Sequence, residues 1–66
     1  MGRIAVAVPL WASSLRFHRH REGMSQATFG SLFGVSQQTV AKWELGYFEP
    51  PMAVVIWLVD RGGTLS

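Results

Sequence analysis

The chain has 66 residues, 48% of them hydrophobic, with six Lys and Arg against four Asp and Glu and no cysteine. So short a chain makes one domain with little spare core around which to build a catalytic cavity, and it carries no carboxylate pair, nucleophile–base pair or metal cluster, so neither an enzyme nor a cofactor is expected. Without cysteine there are no disulfide staples and no thiolate zinc site, and a net charge of +2 is too mild to indicate a nucleic-acid partner by itself.

The first stretch, residues 1–10, contains GRIAVAV, in which Ile4, Val6 and Val8 alternate with Ala5 and Ala7. This β-branched alternation reads as a short strand-like arm, distinct from a helical domain over residues 11–66. A single strand is not stable alone, so it either pairs with a second copy of the chain, lies over the helices or stays unstructured. The apolar run IAVAVPLW is far shorter than the roughly 20 residues of a membrane span, and Pro9 interrupts it. As a signal peptide it is poor, because residues 13–22 turn strongly basic. A cytoplasmic protein without a membrane segment is the simplest expectation.

Pro9 stops the arm, and Ser13 or Ser14 is expected to cap a helix running to about Glu22 and ended by Gly23. On it Leu15 faces the core with Ala12 or Trp11 one turn back. His18 falls on the same side and reads as a half-buried, space-filling ring; His18 and His20 point in different directions and share no metal. Arg16, Arg19 and Arg21 crowd with these histidines into six residues. Phe17 points elsewhere, either under the arm or toward a second chain.

The centre of the chain is Ser25–Leu45, which reads as two short helices joined by a tight turn at Gly34. Ser25 is a good N-cap, and Phe29, Leu32 and Phe33 share one face of the first helix. Gly30 costs about 1 kcal/mol relative to Ala inside a helix, and close approach of the second helix is the physical reason to expect it there. Gly34 can take positive φ, and Ser36 caps the next helix, in which Val40 and Trp43 lie inward at a spacing of three. Gln37, Gln38, Thr39 and Lys42 then lie outward. Two helices that share an apolar corner and turn a hydrogen-bonding edge outward describe a helix-turn-helix, whose second helix can enter the major groove of DNA. The first helix's N-terminus can hold a phosphate with the Gln26 amide as an added donor; alternatively Gln26 is a solvated helix residue.

After Pro50 and Pro51, a natural helix start, MAVVIWLV is apolar on all sides and ends at Asp60-Arg61-Gly62-Gly63. One face can pack on the domain core, which leaves part of Val54, Trp57 or Leu58 for another surface. With the arm, this gives two unmatched apolar elements and favours a homodimer, with Ile4, Val6, Val8, Val54, Trp57 and Leu58 as candidate interface residues.

Residues 15–50, LRFHRHREGMSQATFGSLFGVSQQTVAKWELGYFEP, resemble the helix-turn-helix domain of the phage repressor and Cro family, also called the Xre family. The resemblance rests on SQ opening one helix, the small residue Gly30, the turn FGVS, Val40 and Trp43, and the tail KWELGYFEP, similar to W-E-x-G-x-x-x-P. It implies an all-α, lambda-repressor-like domain of four helices. It also implies that Gln37 and Gln38 reach base edges, that Thr39 and Lys42 touch bases or phosphates, and that Gln26 holds a phosphate. Ser36 and Tyr47, the latter in the loop Gly46–Glu49 that matches a segment along the DNA backbone, complete the implied DNA-binding set. Gln can bond bidentately to adenine N6 and N7, and Lys favours guanine O6 and N7 or a phosphate. Arg19 and Glu44 match an ion pair that joins the first and third helices. His18 departs from the family's aliphatic core residue and Phe17 from its polar one.

The resemblance implies a dimeric transcriptional regulator, a repressor of Cro or prophage type, on a pseudo-palindromic double-stranded operator. Two other readings are an antitoxin that binds DNA and a toxin, and an assembly module without DNA binding.

Overall fold

The computed structural model describes residues 8–63, so Ile4 and Val6 of the arm lie outside the described residues. Four helices follow one another: α1 (Leu10–Arg21), α2 (Gln26–Phe33), α3 (Gln37–Glu44) and α4 (Met52–Asp60), with no strand among the described residues. The fold is all-α.

α1 begins earlier than its serines indicate. Pro9, at φ −56° and ψ 146°, is the N-cap and offers no side-chain cap; its carbonyl accepts from the Ala12 N–H at 3.0 Å and the Ser13 N–H at 3.4 Å. The proline ring pre-sets this entry conformation, which extends the helix upstream of Ser13. Ser25 and Ser36 do cap α2 and α3, accepting from the Thr28 N–H at 3.0 Å and the Thr39 N–H at 3.2 Å. α2 closes at Gly34, φ 69°, where the Val35 N–H bonds back to the Gly30 carbonyl at 2.9 Å. A left-handed residue with this returning bond satisfies the last carbonyls of the helix.

Leu15, Phe29, Val40, Trp43, Val54 and Leu58 form one core to which all four helices contribute. The Phe29 ring is its centre: Phe33 lies at 5.0 Å between centroids and Trp57 at 4.8 Å, edge to face. The α2–α3 pair is the most extensive contact. Gly30 is buried there, and a Cβ on it would stand 2.6 Å from the Val35 carbonyl oxygen. The close approach is therefore between α2 and the turn that launches α3.

Leu32 and the inner face of α4 depart from expectation. Leu32 is 60% exposed and does not join Phe29 and Phe33: the buried side of α2 is Phe29, against Trp57 of α4, and Gly30, against the Val35–Ser36 turn. Val54 and Leu58 are fully buried within the domain's own core, so they are not free for a second chain. Trp57 is half-buried, with Phe29 on one side and the Arg61 guanidinium 4.1 Å from its ring centre. The outward face of α4 is instead Met52, Ile56 and Val59, at spacings of four and three. His18 is half-buried, its ring set edge to face against the exposed Phe17 at 5.0 Å.

Candidate nucleic-acid interface

The outward face of α3 is built by its own periodicity. With Val40, Trp43 and Glu44 buried, Gln37, Gln38 and Lys42 are left exposed on the opposite side. Thr39 is half-buried, and its hydroxyl meets the Ser36 hydroxyl at 3.0 Å, so these two residues finish the cap as well as bordering the face. Ser36 Oγ takes the Thr39 N–H, which leaves the N–H groups of Gln37 and Gln38 pointing out of the helix without an acceptor among the described residues.

Beyond α3 the chain turns at Gly46, φ 81°, and the Tyr47 N–H returns to the Lys42 carbonyl at 2.9 Å. A Cβ at Gly46 would strike the Pro9 ring at 2.6 Å, so the loop after α3 and the entry to α1 are pressed together. Tyr47 is 67% exposed, and Phe48 places its ring 5.7 Å from the Lys42 ammonium. This is a cation–π contact that steadies the long Lys42 side chain beside the loop. Phe48 belongs to the loop Gly46–Glu49, and it is the turn at Gly46 that brings its ring back to Lys42, six residues earlier.

One polar network holds the face to the rest of the domain. The Arg19 guanidinium donates from Nε to Glu44 Oε2 at 2.6 Å and from Nη2 to Glu44 Oε1 at 3.0 Å, a bidentate pair with side chains only 5% and 4% exposed. Its Nη1 donates to the Met24 carbonyl at 2.6 Å. Gln26 Nε2 donates to Glu44 Oε1 at 3.2 Å. The Gln26 amide is thus partly engaged inside the domain, with one amide hydrogen left for an outside acceptor. The network joins α1, the α1–α2 loop, the start of α2 and the end of α3. It also neutralises Glu44, which would otherwise be an unpaired carboxylate next to the exposed face.

Arg16 and Lys42 are exposed, as is Glu49 in the loop after α3, whereas Arg61 is tied to Glu22 and to the Trp57 carbonyl. No group of three His, Asp or Glu among the described residues could hold a metal ion.

A protein-family model described as helix-turn-helix matches residues 15–59, more than half of the chain. The chain belongs to the helix-turn-helix family of phage repressor and Cro (Xre) type. No curated protein and no solved structure matches it. In this helix-turn-helix domain α2 is the supporting helix, Gly34–Ser36 the turn and α3 the helix in the recognition position. Membership makes it a DNA-binding regulatory domain. No described helix is long and apolar enough to cross a membrane.

Proposed function

We propose that this helix-turn-helix domain binds double-stranded DNA sequence-specifically as a homodimer in the cytoplasm and represses transcription by covering promoter DNA, in the manner of a Cro or prophage repressor. The observation that carries the reading is the exposed face of α3: Gln37, Gln38 and Lys42 stand outward on a helix anchored by Val40, Trp43 and the Glu44 network. Gln37 and Gln38 read adenine edges, and Lys42 takes guanine or a phosphate. Ser36, Thr39 and Tyr47 flank them on the backbone, and Gln26 anchors a phosphate with its remaining amide hydrogen at the start of α2.

The homodimer is supported by the outward face of α4. Met52 (68% exposed), Ile56 (57%) and Val59 (50%) form an apolar ridge. Beside it runs a groove lined by Trp11, Glu49, Pro50, Met52, Val55 and Leu58. A ridge next to a groove is what a two-fold interface needs, each ridge filling the partner's groove. Such a dimer sets two α3 helices about 34 Å apart for successive major grooves.

Selection of bound sequences from a random duplex pool tests the reading. The expected product is a pseudo-palindrome with adenine in each half-site and half-sites about 10 base pairs apart. A pool that shows no enrichment over many rounds, with folded protein, overturns it.

A further inference from the structure

A second stripe lies beside the reading face. On α1, Ser13, Arg16, Phe17 and His20 recur at spacings of three and four, and with Val8 before the helix they line a surface groove closed on its other side by Glu44 and Leu45 at the end of α3. Leu45 is 51% exposed and follows Gln38 by seven residues and Lys42 by three, so it lies on the same face of α3 as those two. The groove is the sideways continuation of the reading face onto α1.

Its charge has one sign. The only acid lining it, Glu44, already has both oxygens taken by Arg19 and one of them also by Gln26. Arg16 is exposed and makes no hydrogen bond or ion pair among the described residues. The His20 ring is held beside its neighbour, with Arg19 Nη2 3.3 Å from His20 Nε2. A guanidinium fork and the Ser13 hydroxyl along one helix edge, with the exposed His20 ring beside them, suit anionic oxygens spaced along a chain.

We propose that Ser13, Arg16 and His20 form a phosphate-binding strip on which the DNA backbone beside the α3-filled major groove rests. The strip presupposes the DNA-binding reading above and adds an element to it: α1 grips the duplex from the side. Contacts of this kind fix the position of α3 without reading sequence.

Salt dependence of binding to a mixed-sequence duplex, which needs no operator, tests the strip by fluorescence anisotropy with the full chain. Each phosphate contact contributes about 0.9 to the slope of log K against log salt. Arg16→Ala is expected to lower the slope by about one, and Arg16→Lys to keep most of it. Arg21→Ala removes the same charge from a position roughly 140° round the helix from Arg16 and is expected to leave the slope unchanged. Thermal unfolding checks that each variant is folded, and Arg16→Gln serves if Arg16→Ala is not. A wild-type slope in Arg16→Ala, or equal falls in Arg16→Ala and Arg21→Ala, overturns the strip while leaving DNA binding standing; the first result assigns the groove to an acidic protein segment instead. A wild-type protein that binds no duplex overturns the proposed function, and the strip with it.

Discussion

Gly30→Ala is the sharpest test of how the recognition helix is mounted. Two opposing effects follow from one methyl group. Alanine gains about 1 kcal/mol of helix propensity over glycine in the middle of α2. Against this, the new Cβ stands 2.6 Å from the Val35 carbonyl oxygen and 3.2 Å from that of Ser36. Neither oxygen can swing aside as a flexible side chain would. The Val35 N–H is itself bonded to the Gly30 carbonyl at 2.9 Å, and the Ser36 carbonyl accepts the Val40 N–H at 3.3 Å in the first turn of α3. Overpacking costs about 1–3 kcal/mol in general, and a backbone obstacle puts this site in the upper half of that range. The net loss is about 1–2 kcal/mol, which at about 4–8 °C per kcal/mol for a domain of this size lowers the melting temperature by about 5–15 °C. Because the turn that launches α3 must move, affinity for DNA should fall even well below that temperature. Circular-dichroism melting and anisotropy binding measure the two effects. An unchanged or raised melting temperature would refute the reasoning, since it would mean that α2 and the turn separate at no cost.

The remaining predictions address the face, its support and the second chain. Gln37→Ala or Gln38→Ala should weaken binding to a selected operator by about 1–3 kcal/mol and relax base preference, with stability unchanged; equal losses on operator and random duplex would remove the base-reading role. Glu44→Ala leaves the Arg19 guanidinium buried without its counter-ion and should cost about 3–5 kcal/mol in urea unfolding. A loss below about 1 kcal/mol would class the pair with solvent-screened surface bridges. Ile56→Glu sets a carboxylate in the apolar ridge of α4 and should shift the mass in sedimentation toward monomer without lowering the intrinsic stability of the domain. A dimer of unchanged mass would place the interface elsewhere.

What could be read from the residues depended on whether a segment carried one signal or several. Ser25–Leu45 carried several that agreed: two serine caps, a glycine able to take positive φ and apolar positions at helical spacing. The structure accordingly shows α2 and α3 on either side of Gly34, capped by Ser25 and Ser36. The start of α1 carried competing signals, and a rigid proline outranked two serines; Ser13 lies inside the helix. Leu32 failed for another reason. Phe29, Leu32 and Phe33 fit one face equally well on paper, and only the tertiary neighbours, Trp57 against Phe29 and the Val35–Ser36 turn against Gly30, show which side of α2 is covered. α4 is the extreme case. A helix that is apolar all round has no periodicity to distinguish inside from outside, so Val54 and Leu58 could not be told from Met52, Ile56 and Val59 until the core was seen.

The Arg19–Glu44 network bears on why so small a domain can afford a polar reading edge. A recognition helix needs amides and an ammonium outward, and α3 has only eight residues with which to secure itself. Val40 and Trp43 supply the apolar anchor, but two contacts three residues apart fix a helix poorly against rocking about its own axis. Glu44 supplies a third point at the far end, held by donors from α1 and α2 at once. Bidentate geometry restrains orientation as well as distance. Buried ion pairs contribute little net stability compared with apolar replacements, so the physical case for this one rests on orientation. On that argument, replacing both partners with Arg19→Met and Glu44→Leu together should restore much of the stability that Glu44→Ala loses, yet leave operator affinity reduced, because the restored packing has no fork to set the angle of α3. Full recovery of affinity in the double variant would show that apolar packing alone orients the helix.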